Sequence, residues 1–389
     1  MLPCQRHLFD IPDEVAYLNC AYMAPLMKSA LATGTAGLAR KVHPWELTPD
    51  QFFSGAEEFR ATAAQLIDCP ADCIAIVPSA SYGMATAARN LPVEKGQSIL
   101  VLAEQFPSNY YPWQRLAEEN GASLKIVPWP CDKDRADDSD CDWTSAVLKS
   151  LTGDVAIAAL PHVQWTSGGK LDLVRIGEAC RNSGTALALD LTQSLGALPF
   201  SMSDVQPDFA VAASYKWLLG PYSIGLLYVA PRWQGGIPLE ENWIQRANAR
   251  DFSSLILYTE DYDAGARRFD MGERSNFASL PAALRAMKQL QEWDVVQISE
   301  TIGVLNRELA TAAAELGFLS PPDHLRAPHY LCLRRKEAIP KELPEMLARE
   351  KVFVSVRGSS IRVTPHVYNT VEDAERLISC LKQTARVSR

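Results

Sequence analysis

Two short apolar runs constrain this chain more than any other feature. Ala186-Leu187-Ala188-Leu189 ends on an acid, Asp190, and Phe209-Ala210-Val211-Ala212-Ala213 ends on Ser214-Tyr215-Lys216. Continuous apolar runs of this length suit strands buried on both faces of a parallel sheet. Such sheets bind ligands in the crevice outside the carboxyl ends of their strands. Asp190 and Lys216 are therefore expected to project into one crevice.

A carboxylate and an amine at neighbouring strand ends have two readings. One is an ordinary buried ion pair. The other is a pyridoxal phosphate site, in which the lysine forms a Schiff base with the aldehyde and the acid keeps the pyridine nitrogen protonated, so that the ring can take up electrons. The neighbouring residues favour the second. Asp190-x-x-Gln193, then Ser214-Tyr215-Lys216 and Gly220-Pro221 ahead of another apolar run, resemble the core of the class V aminotransferase superfamily. That family includes cysteine desulfurases, kynureninases and isopenicillin N epimerases. The resemblance covers roughly residues 17–381. It implies an α/β fold, the PLP-dependent transferase fold type I, and a homodimer with its sites near the interface. The expected division is an N-terminal segment over 1–20 packing with the small domain, a large cofactor-binding domain with a mostly parallel sheet over 21–284, and a small α/β domain over 285–389.

Bulk properties narrow the alternatives. A length of 389 residues allows two domains, and 47% hydrophobic with 22% charged residues is ordinary for a globular enzyme. The net charge of −8 argues against a nucleic-acid partner. No apolar run is long enough to span a membrane, and the segment from Met1 to Asn19 lacks the apolar core of a signal peptide. Nine scattered cysteines without a C-x-x-C pair point to reduced thiols in a cytoplasm. No metal site is expected, because the histidines fall in no zinc spacing. The absence of glycine-rich phosphate motifs disfavours dinucleotides and nucleoside triphosphates.

Along the chain, Ile74-Ala75-Ile76-Val77 reads as a strand leading through Pro78-Ser79-Ala80-Ser81 into a helix of small residues. Backbone N–H groups and the helix dipole favour an anion there, although a serine before a helix is usually an N-cap. The resemblance assigns the Ala80 backbone and the Ser81 hydroxyl to the cofactor phosphate. It places Phe106 against the pyridine face, where the desulfurase branch carries a histidine. Phenylalanine can stack but cannot move a proton. Gln193 is expected near the phenolic oxygen or the Schiff-base nitrogen, and Ser214 and Tyr215 near the phosphate. In the loop after the strand Val155–Leu160, Trp165 or Thr166 is expected to meet the ring oxygen, with His162 structural. Asn276 is the candidate for reaching a partner's phosphate. Arg267, Arg268 and Arg274 are substrate or interface candidates, an ordinary charged loop being the alternative. Cys20 and Tyr22 lie in a segment that in the family passes the mouth of the site. Cys131–Asp142, rich in acids, reads as a solvated loop.

A helical region is expected over Leu280–Leu316, followed by strands at Tyr330–Leu333, Val352–Val356 and Ser360–Thr364 and a last helix starting at Thr370 with Asp373 completing a capping box. Arg362 on the last strand, followed by Tyr368-Asn369-Thr370, resembles the arginine that grips the substrate α-carboxylate; a guanidinium forks onto both oxygens. Arg357 either reads a substrate side chain or faces solvent.

The reaction is read with Lys216 and Asp190 as the catalytic pair. Desulfurases carry a nucleophilic cysteine before the carboxylate arginine, but Val354-Ser355-Val356-Arg357-Gly358-Ser359-Ser360 has none. A small α-amino acid is the expected substrate and amino-group transfer the expected reaction. A C–S or C–C β-lyase is the alternative, followed by an epimerase and by an inert cofactor-binding homologue.

Overall fold

The computed structural model describes residues 1–131, 141–335, 339, 342–357 and 360–387. Its strands in chain order are β1 (Ala16–Tyr17), β2 (Ile74–Val77), β3 (Ser98–Leu102), β4 (Ser123–Val127), β5 (Val155–Pro161), β6 (Ala186–Asp190), β7 (Phe209–Ala213), β8 (Gly225–Val229), β9 (Leu331–Arg334), β10 (Val352–Phe353), β11 (Ser355–Arg357) and β12 (Ser360–Val363). Seven of them form one sheet in the order β2-β8-β7-β6-β5-β3-β4. β8 runs antiparallel to both neighbours, and the remaining pairings are parallel.

Successive residues of the central strands feed two different cores. Leu187, Leu189, Ala210, Ala212 and Leu226 enter one. Ala188, Phe209, Val211, Leu227 and Val229 enter the other. Side chains alternate across a strand, so a sheet covered on both faces requires the unbroken apolar runs seen in the sequence. The helix Ala80–Asn90 packs on the second face. Gly83 permits this approach, because a Cβ there would lie 2.5 Å from Val211 Cγ2.

A third core joins Leu309, Phe318, Leu331, Leu333, Ile361, Val363 and Leu377 with Ala16 and Leu18 from the start of the chain. Its antiparallel sheet has the order β11-β12-β9, while β1 pairs with β10. The region expected to be helical over 280–316 is two helices, Ser279–Trp293 and Val295–Ala314, because Asp294 adopts a left-handed φ of 65° and caps the second through Val296 N at 3.0 Å. The run Val352–Val356 divides at Val354, and its halves join different sheets. The capping box is present: Thr370 N donates to Asp373 Oδ2 at 3.2 Å, and Asp373 N donates to Thr370 Oγ1 at 3.4 Å.

One expectation fails outright. Cys131 and Cys141 form a disulfide, with Cα atoms 4.9 Å apart, inside the span that permits the bond. The other seven cysteines take no part in that disulfide. The acidic segment between the two, 132–140, lies outside the described residues. No helix among the described residues is long and apolar enough to cross a membrane. No group of His, Cys, Asp or Glu among them could hold a metal ion.

Candidate active site

The carboxyl ends of the parallel strands converge on a cavity of about 360 Å³. Pro78–Ser81 reach it after β2, Gln105 and Phe106 after β3, and Pro161 with Val163–Trp165 from β5. Asp190, Thr192 and Gln193 come from β6, and Ala213, Tyr215 and Lys216 from β7. Register explains the meeting of acid and amine: Asp190 at the end of β6 is paired with Val211 of β7, and Lys216 lies just past that strand's end.

Both groups are almost wholly buried, Asp190 at 8% and Lys216 at 5% exposure. Desolvation raises the Asp190 carboxyl, against the opposing effects of the hydrogen bonds from Thr192 and the charge of Lys216. Desolvation likewise lowers the Lys216 amine to about 8, opposed by Asp190 and reinforced by the charge of Arg362. Burial penalises the charged form of each. Asp190 Oδ1 accepts from Thr192 N at 3.0 Å. Lys216 Nζ lies 5.3 Å from the centre of the Phe106 ring and 5.4 Å from that of Tyr215. Phe106 in turn meets Trp165 edge to face at 5.4 Å.

These residues fit pyridoxal phosphate. Asp190 is a buried carboxylate without a salt-bridge partner among the described residues, and a protonated pyridine nitrogen would compensate it. Ser79 caps the helix Ala80–Asn90 through Tyr82 N at 3.1 Å, and its hydroxyl lies 2.8 Å from that of Ser81. The helix N-terminus and two hydroxyls thus face the cavity, an arrangement suited to a phosphate. Phe106 offers an apolar face to the ring.

Gln164 was not singled out from the sequence. Its Oε1 accepts from the N and Oγ atoms of Thr166 and Ser167 at 2.8–3.1 Å. That leaves Nε2 buried on the cavity wall without a partner among the described residues. The only signal in the sequence is its place beside Trp165 and Thr166 in the loop after β5. Thr166 is occupied by Gln164, and Trp165 Nε1 donates to the Glu104 carbonyl at 2.7 Å.

Of the expected residues, Ala80, Ser81, Phe106, Asp190, Gln193, Tyr215 and Lys216 meet at the cavity. Gln193 spans its floor, donating to the Ala21 carbonyl at 3.2 Å and accepting from Trp217 Nε1 at 3.1 Å. Ser214 is buried beneath, where its hydroxyl donates to the Pro221 carbonyl at 2.6 Å. Asn276 is exposed outside the cavity, where its Oδ1 accepts from Ala278 N and Ser279 N at 3.0 and 2.8 Å in the turn that leads into the helix Ser279–Trp293. Arg362 lies beyond Trp165, its Cζ 5.5 Å from that ring. Cys20 is buried behind Lys216, with its Sγ 3.8 Å from the lysine carbonyl, and Tyr22 is exposed. His162 faces a different groove, kept neutral by burial, which lowers it to about 3.

The three arginines of the 265–277 segment have partners within the chain. Arg267 binds Glu57 and Asp72, Arg268 lies over Tyr262, and Arg274 is buried against Asp270.

The chain resembles known proteins along its length. An uncharacterized aminotransferase, YcbU, of Bacillus subtilis (strain 168) is 26% identical over 330 residues, covering 81% of this chain and 80% of that protein. A kynureninase of Geobacillus thermodenitrificans (strain NG80-2) is 23% identical over 97% of this chain and 90% of its own. The apo structure of a cysteine desulfurase from Thermococcus onnurineus NA1 superposes with a TM-score of 0.85 at 17% identity, over 100% of this chain and 99% of that one, a likeness of fold. Residues 34–388 match the family model described as aminotransferase class-V, and the chain is therefore a member of that family of pyridoxal phosphate enzymes.

Proposed function

We propose that this protein is an aminotransferase of small α-amino acids, with Lys216 as its base. The observation that carries the reading is the buried amine of Lys216, the one lysine lining the cavity among the described residues, brought to about 8 by desolvation and facing a phenylalanine. When bound, pyridoxal phosphate supplies an electron sink for the charge left on the substrate Cα. Lys216 takes the proton from that carbon through Nζ; a pKa near the working pH suits a group that must both accept and return it. Asp190 holds a proton at the ring nitrogen. Amino transfer needs one such base. Two-base epimerisation needs a second proton carrier, and Phe106 cannot be one. Arg362 receives the substrate carboxylate.

Among the described residues no cysteine lines the cavity, which disfavours persulfide chemistry. Cys332 is buried, its Sγ donating to the Thr166 carbonyl at 3.0 Å, and burial pushes the thiol up to about 11. A C–C or C–S β-lyase is the second reading, favoured by the kynureninase relative.

The assembly we propose is a homodimer. Trp45 at 76%, Ile256 at 82% and Tyr258 at 99% exposure belong to segments held together by ring contacts of Phe52 with Phe252 and Phe277, at 5.6 and 5.4 Å. Asn276 adjoins that cluster, and apolar surface of this kind marks protein interfaces.

The test of the reaction uses purified holoenzyme with a panel of amino-acid donors and a 2-oxo acid acceptor. Transfer yields the amino acid of the acceptor without free ammonia. Release of ammonia or alanine from β-substituted donors, with no amino group passed on, would establish the lyase instead.

A further inference from the structure

A guanidinium that is to receive a carboxylate must present the correct edge. Arg362 is 3% exposed and forms no salt bridge among the described residues. Its Nη1 donates to the Trp165 carbonyl at 3.3 Å and to the Tyr330 hydroxyl at 3.2 Å. The Tyr330 hydroxyl donates to the same Trp165 carbonyl at 2.6 Å. The three groups close a triangle. On the opposite edge Nε is buried without a partner, and Nη2 has no hydrogen bond among the described residues. Nε–H and one N–H of Nη2 point in parallel, which is the geometry that accepts both oxygens of a carboxylate. The contacts made by Nη1 therefore leave free the edge a substrate needs.

Tyr330 is suited to this task. It is 0% exposed, and burial pushes its phenol up to about 12, so the proton that bonds the Trp165 carbonyl stays in place. The loop after Trp165 is tight against it: Gly168 has a φ of 75°, and a Cβ there would lie 2.8 Å from the Tyr330 carbonyl oxygen. Trp165 belongs to the cavity wall and Arg362 to β12, so the phenol ties the wall of the site to the arginine.

We propose that Tyr330 is a positioning residue for carboxylate recognition: its hydroxyl locks Nη1 of Arg362 onto the Trp165 carbonyl and aims the Nε–Nη2 edge at the substrate. This rests on the reading that Arg362 receives the α-carboxylate. A phenol that merely fills the core would matter equally for ligands with and without a carboxylate.

The experiment compares binding of L-alanine and L-alaninamide to the holoenzyme, followed by the change in its visible spectrum. Tyr330→Phe keeps the ring and removes only the hydroxyl. It is expected to weaken L-alanine binding by about 5- to 20-fold, the range of one hydrogen bond to a charged group shared with a second partner, and to leave L-alaninamide within about twofold. Adding Tyr330→Phe to Arg362→Ala is expected to cause no further loss, because the hydroxyl acts through the arginine. Equal weakening of both ligands, no weakening of either, or full additivity in the double variant would overturn the role of Tyr330. If Arg362→Ala itself leaves the preference for acid over amide intact, the carboxylate reading of Arg362 falls, independently of what Tyr330→Phe does.

Discussion

At the scale of single residues, burial moves Lys216 and Asp190 toward their neutral forms, and each movement has a measurable consequence. Only the unprotonated amine can bond the cofactor aldehyde. With Lys216 lowered to about 8, the rate at which apoprotein takes up pyridoxal phosphate should climb about tenfold per pH unit up to pH 8 and then level. Continued climbing toward pH 10 would mean an ordinary lysine. Asp190→Asn should leave the fold and the cavity in place while lowering kcat at least about 100-fold, since an amide cannot hold the ring nitrogen protonated; an unchanged kcat would remove Asp190 from the mechanism. Both residues could be found in the sequence because each ends an apolar run. Gln164 could not, because its importance lies in which atom is left over after Thr166 and Ser167 take the other. Ser214 shows the converse: it stands two residues from Lys216, yet the turn closed by Gly220 directs its hydroxyl to Pro221.

At the scale of elements, strand positions were legible wherever both faces of the sheet are covered, since burial on two sides demands unbroken apolar runs. Breaks caused by a single backbone angle, such as Asp294, leave no trace in hydrophobic spacing. Nor was the packing of the 265–277 segment legible, because its charges pair with residues distant in the chain. Asp270 is 0% exposed and accepts from Arg60, Arg274 and Ile76 N, the last at 2.8 Å. It thereby fixes β2, which leads directly into Pro78–Ser81. Asp270→Ala removes the carboxylate that Arg60 and Arg274 share, leaving Arg60 only its carboxylate contact with Glu57 among the described residues. We expect a loss of about 3–5 kcal/mol in urea unfolding, the cost of breaking a buried ion pair from one side, together with weaker cofactor retention. A loss below about 1 kcal/mol would show that the arginines find other partners.

At the scale of the whole molecule, the seven-stranded sheet and the β11-β12-β9 sheet meet through a set of buried rings. Trp217 lies between His329, at 4.4 Å, and His366, at 5.9 Å. His329 Nε2 contacts the Gln193 carbonyl at 2.7 Å, and neither ring nitrogen of His366 has a hydrogen-bond partner among the described residues. Burial lowers His329 to about 4 and His162 and His366 to about 3. The unfolded chain takes up these protons near pH 6.5 and the folded chain does not. Stability should therefore fall as pH drops from 6.5 toward 4, each histidine contributing up to about 1.4 kcal/mol per pH unit. Urea midpoints at pH 7 and pH 5 test this, and equal midpoints would contradict it. A large sheet and a smaller one were expected from the resemblance; the joining of the two by Trp217, Tyr330, His329 and His366 emerges only from packing. The central claim is that Lys216 carries the cofactor. Borohydride reduction of the yellow holoenzyme, followed by digestion and mass spectrometry, should find the pyridoxyl phosphate group on the peptide containing Lys216; its recovery on any other lysine would contradict the account.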